Sequence, residues 1–504
     1  MSELLGKNIL ILGLGASGLA MARWCSRAGA EVSVADTRAA PPQLAVLQTE
    51  LPQVRFMQSE FDGELLQAVK PEAVFKSPGL TPLEVEKLTI SARDHGIEVS
   101  GELSLFAQGL VALKHSQQYE PKILAVTGTN GKTTVTSLTH HLVTWSGKSA
   151  LMAGNIGPTL LDTLSKAIDT GTLPDVWVLE LSSFQLDVAV AFEPTAATVL
   201  NVTQDHLDWH SSMKTYAQAK THIFGSQGLM VLNREDSTVM AMLPEPVRVK
   251  LQRPLVRPHI TFGTDLPKRP GDYGMEDVNG MVWLVRALEA DETLKKRKDE
   301  EEVHIQRLMP ADALRIRGRH NASNALAALA LCSAAGCQLG AVLFGLREYR
   351  GEPHRVQAVG IVNGVEIFGD SKGTNVGATV AALRGLGEER KVVVILGGEG
   401  KGQDFAPLLA PVRQYARAAV LIGRDAPLIR AALAGSEVRL MDAETMDAAV
   451  VTANQCAHAG DAVLMSPACA SFDMFDNYEH RARAFCEAVR TIALDAGQDL
   501  ETLS

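Results

Sequence analysis

The chain has 504 residues, too many for one hydrophobic core, and that length suggests three domains. It is 46% hydrophobic and 21% charged, the balance of an ordinary soluble protein, and its formal charge of −10 argues against a nucleic-acid or membrane-surface partner while leaving small anionic ligands open. Six scattered cysteines outline neither a metal site nor a disulfide framework; with no signal peptide and no apolar run long enough to span a bilayer, a cytoplasmic protein is expected.

Asn8-Ile-Leu-Ile-Leu12 reads as an apolar strand. It runs into Gly13-Leu-Gly-Ala-Ser-Gly18, a G-x-G-x-x-G, and then a helix to about Arg27. A second strand, Glu31-Val-Ser-Val-Ala35, closes on Asp36. This unit looks like a Rossmann site for NAD(P), and it equally suits another pyrophosphate such as a UDP-sugar, since a helix N-terminus attracts either. Asp36-Thr37-Arg38 would then sit near the base and diphosphate. Ala73-Val-Phe75 leads to Ser77-Pro78-Gly79, a turn that either reverses the chain or meets the ligand. The first domain is expected to cover residues 1–98.

A second domain, 99–351, holds the stretch that organises the chain. Lys122-Ile-Leu-Ala-Val126 reads as a buried strand, Thr127 to Thr134 as a glycine-rich turn, and Val135 to Leu142 as a helix. Strand, glycine turn, lysine, hydroxyl and helix is the order of a phosphate-binding loop, although Val126 stands where the commonest form has its first glycine. Its glycines let backbone N–H groups approach phosphate oxygens, Lys132 would reach the outer phosphates and Thr133 would offer a hydroxyl to Mg²⁺. ATP is the expected ligand. Leu151 to Gly157 reads as a strand and turn, Val176-Trp-Val-Leu-Glu180 as a strand delivering a carboxylate, and Ala196-Ala-Thr-Val-Leu200 as one leading to Asp205-His206-Leu-Asp208. Acids and a histidine at strand ends beside such a loop are candidate metal or substrate ligands, as well as ordinary structural groups. From Ser211 to Phe224 a helix is expected, with Met213, Tyr216, Ala217, Ile223 and Phe224 on one face and Lys220 among them. By residue physics alone Lys220 is a snorkelling side chain; buried, it would have to be paired, neutralised or modified. From about 261 to 310 the pattern loosens into a solvated stretch with the charge block Lys295 to Glu302. Gly318-Arg-His-Asn-Ala-Ser-Asn324 opens an alanine-rich helix to about Ala335.

The third domain, 352–504, alternates strands and helices again. Four strand ends carry Asp370-Ser-Lys372-Gly-Thr374, Gly397 to Lys401, Gly423, and Ser466 to Ser471, the last of which is expected to cap the final helix. Two lysines and several hydroxyls on one rim suit a substrate bearing carboxylates.

Together these motifs resemble the Mur ligases of peptidoglycan synthesis, over nearly the whole chain except about 262–310 and 107–119. G-T-N-G-K-T at 128–133, E-L-S-S-F-Q at 180–185, D-H at 205–206, the helix with Lys220, G-R-H-N-A-S-N at 318–324, H-R at 354–355, D-S-K-G-T-N at 370–375 and G-G-E-G-K at 397–401 carry the resemblance. The N-terminal G-L-G-A-S-G, D-T-R at 36–38 and S-P-A-C-A-S-F-D at 466–473 favour the D-glutamate-adding branch. The resemblance implies an α/β fold of three domains: a Rossmann-like N-terminal domain, a central ATPase-like domain and a Rossmann-like C-terminal domain. It implies a ligase that uses ATP to activate the carboxylate of UDP-N-acetylmuramoyl-L-alanine as an acyl phosphate, which the amine of D-glutamate attacks. A monomer is expected.

By the same resemblance Gly128, Thr129, Asn130, Gly131, Lys132, Thr133, Thr134, Asn321, Asn324, Arg355 and Asp370 would hold ATP. Thr133, Glu180, His206 and a CO2-derived carbamate on Lys220 would hold two Mg²⁺ ions, and Lys132, Glu180, His206 and Lys220 would be catalytic. Ala16, Ser17, Gly18, Asp36, Thr37, Arg38, Ser77 and Gly79 would contact the uridine diphosphate, with Asn155 and Gln185 nearer the muramoyl-alanine. Lys372, Thr374, Lys401, Ser471, Phe472 and Tyr478 would form the D-glutamate pocket, with Tyr478 where phenylalanine and Ala482 where glycine is expected. A folylpolyglutamate-type synthetase leaves residues 1–98 unexplained. A dehydrogenase leaves the phosphate loop idle, and a non-catalytic nucleotide-binding regulator would not need Lys220, His206 and Glu180 together.

Overall fold

The computed structural model describes residues 4–247, 254–290, 303–388 and 390–498. Three sheets follow one another along the chain. The first is parallel, built from β1 (Asn8–Leu12), β2 (Glu31–Asp36), β3 (Arg55–Gln58), β4 (Ala73–Lys76) and β5 (Glu98–Ser100) in the order β3-β2-β1-β4-β5. Its fifth strand continues to Ser100, beyond the expected boundary at 98. The β1–helix–β2 unit forms because an apolar strand with every residue but Asn8 buried feeds a helix, Ala16–Arg27, whose inner face is Leu19, Ala20, Met21, Trp24 and Cys25.

The second sheet contains β6 (Lys122–Thr127), β7 (Ala150–Gly154), β8 (Val176–Glu180), β9 (Ala196–Val199), β10 (Leu229–Asn233), β11 (His259–Phe262), β12 (Tyr273–Val278), β13 (Met281–Glu289) and β14 (Val303–Pro310). Their order is β14-β13-β12-β11-β10-β9-β6-β8-β7, parallel from β7 to β12 and antiparallel through β13 and β14. The stretch from 261 to 310, which reads as loose and solvated, therefore supplies the last three strands at one end of this sheet, with β14 at its edge. In β13 only Leu284, Val285 and Ala287 are buried and the remaining residues are partly or fully exposed, so the apolar signal is too diluted to read. The charge block Lys295 to Glu302 lies outside the described residues.

The third sheet contains β15 (Gln357–Val362), β16 (Val365–Gly369), β17 (Val392–Gly397), β18 (Ala416–Ile422), β19 (Arg439–Asp442) and β20 (Ala462–Met465), ordered β15-β16-β20-β17-β18-β19 with only β15 antiparallel. The final helix, Tyr478–Asp495, is capped by Asn477, whose side chain accepts from the His480 N–H, and not by Ser466 to Ser471; six residues of irregular chain separate that segment from the helix.

Helix Glu102–Gln117 joins the first two sheets into one continuous core. Phe106 meets Trp177 edge to face, with ring centroids 5.2 Å apart, and Gly109 lies so near Trp24 that a Cβ would fall 2.8 Å from its ring. A second core packs helix Arg319–Ala334 onto helix Lys132–Trp145, and the two faces of the third sheet carry cores of their own.

The strand ends are tight. Gly397 has φ +130 and its Cβ would lie 1.8 Å from the Ile422 carbonyl oxygen, whereas Gly340, helical and with nothing within 4 Å, has room to spare. Gly397→Ala is predicted to destabilise the third domain by roughly 2–4 kcal/mol and Gly340→Ala to stabilise slightly. Calorimetric melting checks both; equal transition temperatures for the two variants would refute the strained-glycine account.

Candidate active site

Parallel register sets the frame. Val126 pairs with Glu180 on one side and Thr198 on the other, so the loop leaving β6 emerges between the carboxyl ends of β8 and β9. Two glycines shape it. Gly128, at φ +153, would place a Cβ 3.0 Å from Leu200 Cβ, and Gly131, at φ +84, would place one 2.9 Å from Asn324 Oδ1. Asn201 brackets Asn130, accepting its N–H at 2.8 Å and donating to its carbonyl at 3.1 Å. The Thr129 hydroxyl meets the Tyr216 hydroxyl at 3.1 Å. No side chain caps helix Lys132–Trp145, so its N-terminus, with Thr133 and Thr134 in its first turn, presents N–H groups suited to an anion.

Two lysines converge on one atom. Lys132 Nζ donates to the Gly128 and Thr129 carbonyls, both at 2.9 Å, and Lys220 Nζ donates to the same Gly128 carbonyl at 3.1 Å and to Thr127 Oγ1 at 3.4 Å. Lys220 is 1% exposed, its amine 4.5 Å from the centre of the Tyr216 ring, so the snorkelling reading fails: helix Met213–Thr221 turns it inward with Tyr216 and Ala219. Burial drives its amine pKa well below the usual value, and Lys132 pushes the same way against Asp205. Lys132 is also lowered by burial, with Glu180 opposing.

Glu180 is buried. Its Oε1 accepts from Asn155 Nδ2 at 2.8 Å, and its Oε2 has no partner, an orphaned acceptor that suits a cation. His206 has φ +53, and burial lowers its pKa, leaving the neutral imidazole a metal requires. Among the described residues no three His, Cys, Asp or Glu side chains cluster closely enough to hold a metal unaided. A divalent cation here would need the Thr133 hydroxyl, a modified Lys220 or ligand oxygens as well.

The third domain closes this cleft of about 400 Å³, which is lined by Lys132, Glu180, Asp205, His206, Arg355, Lys372, Thr374 and Lys401 among others. Arg355 Nη2 donates to Thr133 Oγ1 at 2.6 Å, and Asn375 Nδ2 donates to Asn130 Oδ1 at 3.1 Å and Asp205 Oδ2 at 3.3 Å. Asp370 accepts from Ser466 Oγ at 2.7 Å and from the Val356 N–H at 3.3 Å, and burial raises its pKa to about 6. Lys372 Nζ lies 3.4 Å from the Tyr478 hydroxyl, so the tyrosine retains a ring beside the lysine and adds an acceptor. Lys401 lies 5.6 Å over the exposed ring of Phe472, and Ser471 is buried. Arg355 also borders a second cavity, of about 430 Å³, with Asn321, Arg317 and Phe368; Asn324 Nδ2 donates to Asn321 Oδ1 at 3.1 Å.

Ala16, Ser17, Gly18, Asp36, Thr37, Arg38, Ser77 and Gly79 gather at the carboxyl ends of β1, β2 and β4, and none lines that cleft. Gly18 is required there, since its Cβ would lie 2.0 Å from the Gly13 carbonyl oxygen, which also accepts from Ser77 Oγ at 2.8 Å. Both Asp36 oxygens are engaged, by the Leu14 N–H at 2.8 Å and by the Arg38 guanidinium, so Asp36 shapes the glycine loop. Gln185 spends its carbonyl on the N-cap of its own short helix, accepting from Ser182. Of the expected uridine-diphosphate and muramoyl-alanine contacts, Asn155 alone lines the cleft. Asn201 and Asn375 anchor the loop without having been expected to; the available signals were an asparagine two residues past β9 and an asparagine capping the helix Val376–Gly387.

Three family matches divide the chain: a Mur ligase MurD-like N-terminal domain over residues 7–101, a Mur ligase middle domain over 126–332, and a Mur ligase glutamate ligase domain over 354–469. Proteins named UDP-N-acetylmuramoylalanine–D-glutamate ligase are similar along its whole length. That of Albidiferax ferrireducens is 69% identical, covering 99% of this chain and 98% of its own, and that of Polaromonas sp. is 55% identical, covering 99% and 100%. Among solved structures, the UDP-N-acetylmuramate-alanine ligase MurC of Thermotoga maritima aligns with TM-score 0.52 at 20% identity, covering 96% and 99%. The MurF ligase of the same organism, in complex with ADP, aligns with TM-score 0.55 at 14% identity, covering 98% and 97%. With three Mur ligase domains in order and relatives matched end to end, the chain belongs to the Mur ligase family.

Proposed function

We propose that this chain joins D-glutamate to UDP-N-acetylmuramoyl-L-alanine at the expense of ATP, in peptidoglycan precursor synthesis. One observation carries the reading: the phosphate loop, Glu180 and His206 of the central domain face Arg355, Lys372 and Lys401 of the third across a single cleft. Phosphoryl transfer and amine attack on the product of that transfer need such adjacency. The names of the full-length relatives support the choice of substrates.

In this reading the Gly128–Thr134 backbone and Lys132 cradle the ATP phosphates, while Asn321, Asn324, Arg355 and Asp370 hold the rest of the nucleotide beside the second cavity. The first domain binds the uridine diphosphate on the helix N-terminus at Ala16–Gly18, and the alanyl carboxylate enters the cleft near Asn155. Lys372, Thr374, Lys401, Ser471, Phe472 and Tyr478 receive D-glutamate. The carboxylate takes the γ-phosphoryl group to give an acyl phosphate and ADP. The D-glutamate amine attacks that carbonyl, losing a proton, and phosphate leaves. Thr133, Glu180, His206 and a carbamate on Lys220 are the groups that would hold two Mg²⁺ ions, which supply charge neutralisation when bound. The neutral Lys220 amine adds to CO2 and releases one proton, turning a potential cation into an oxygen ligand. One chain supplies every group named, so a monomer suffices, and we place the reaction in the cytoplasm.

Phosphate release with UDP-N-acetylmuramoyl-L-alanine is predicted to be far greater with D-glutamate than with L-alanine, L-lysine or diaminopimelate. Equal release with unsubstituted UDP-N-acetylmuramate and L-alanine would overturn the assignment. Lys220→Ala should fold, because alanine suits a helix, but lose at least about 100-fold in kcat, and Lys220→Arg should not rescue it, since a guanidinium remains cationic. Wild-type turnover in either variant would show that Lys220 is only structural. Titration of the whole protein with NADH should give no saturable fluorescence change, while UDP should bind; micromolar NADH affinity would return the first domain to dinucleotide chemistry.

A further inference from the structure

Lys76 ends β4 and leads directly into Ser77-Pro78-Gly79. Its side chain is 2% exposed, and its ammonium donates to the Leu80 carbonyl at 2.7 Å, closing that turn from within. The same nitrogen lies 5.0 Å from the ring centre of Trp209, a residue of the central domain on the short helix Leu207–His210 that follows His206. Trp209 in turn packs on Phe184, with ring centroids 4.6 Å apart, and Phe184 meets His206 at 4.8 Å. A cation buried against an indole face is favoured electrostatically, and more strongly where water is excluded.

We propose that Lys76 is a positioning residue that docks the substrate turn of the first domain onto the His206 loop of the central domain, so that the muramoyl-alanine carboxylate is held in register with the phosphate loop. This rests on the function proposed above for both sites. Lys76 reaches neither the cleft nor the phosphate loop; it acts through Leu80 on one side and Trp209 on the other. The charged or titratable groups facing it are Asp187 on helix Ser183–Asp187, Glu84 on helix Pro82–Asp94 and His210 beside Trp209. Burial lowers the Lys76 pKa to about 8 while Asp187 and Glu84 oppose the shift, so its charge is lost within a measurable range.

The test is steady-state kinetics of the full chain with all three substrates varied. Lys76→Met should raise KM for UDP-N-acetylmuramoyl-L-alanine about tenfold and leave KM for ATP and D-glutamate within about twofold, while Lys76→Arg keeps most of the affinity because a guanidinium stacks on indole. In the wild type, KM for the UDP substrate should climb as pH passes about 8, and in Lys76→Arg it should stay flat over that range. Tryptophan emission provides a readout independent of turnover: a titration step near pH 8 in the wild type, absent in both Lys76→Met and Trp209→Phe. An unchanged KM for the UDP substrate in Lys76→Met, equal rises in all three KM values, or no emission step in the wild type would each overturn the proposal. Absence of wild-type turnover with these substrates overturns the functional reading instead, and the emission step then decides the Lys76–Trp209 contact alone.

Discussion

Everything in the cleft depends on the carbonyl oxygen of Gly128, which accepts from Lys132 and Lys220 together. Two ammonium ions drawn to one oxygen repel each other, and at a few ångströms this amounts to several kcal/mol even at an effective dielectric of about 20. No carboxylate lies within salt-bridge distance of Lys220 among the described residues. The cheaper state is one charged lysine and one neutral amine. Lys220, more completely enclosed and stacked on Tyr216, is the one whose amine burial pushes well below the usual range. A neutral amine there would be a nucleophile in a place where a cation is costly, which is the condition the proposed carbamate requires.

The loop above these lysines is held from outside itself. Asn201 pins Asn130 from β9, Tyr216 reaches Thr129 from the helix of Lys220, and Asn375 and Arg355 arrive from the third domain. The Arg355 bond to the Thr133 hydroxyl and the Asn375 bonds to Asn130 and Asp205 place the third domain against the central one through the same groups that would meet nucleotide and metal. The contacts that hold the third domain against the central one are thus also contacts of the candidate site. The first domain is attached differently, through the apolar helix Glu102–Gln117, through ion pairs of Arg23 with Asp162 and Arg27 with Asp169, and through Lys76 on the ring of Trp209.

Much of this was legible in the chain. Strands buried on both faces read as continuous apolar runs, and β1, β6, β8, β17 and β20 stand where such runs occur. Gly13, Gly128 and Gly131 take positive φ, which L side chains rarely adopt, and a Cβ at each would fall about 3 Å from a neighbour. The half-exposed strands β12 to β14, the short β19 and the edge strand β15 were not legible, since one wet face or three to six residues leave too weak a period. The cap of the last helix was misread for a similar reason: hydroxyl-rich Ser466 to Ser471 has the composition of a cap, but Asn477 occupies the geometry.

Sequence alone determined the order of the domains, the nature of the phosphate loop and the residue types at each strand end, because these follow from local period, turn chemistry and motif spacing. Only the tertiary structure decided what each of those residues meets. It sealed Lys220 inside rather than letting it snorkel, left Glu180 Oε2 without a partner, committed Asp36 and Gln185 to holding their own loops, and set Lys76 on the face of Trp209. Burial and partnership depend on chain segments tens to hundreds of residues away, and local sequence carries no information about which of them will arrive.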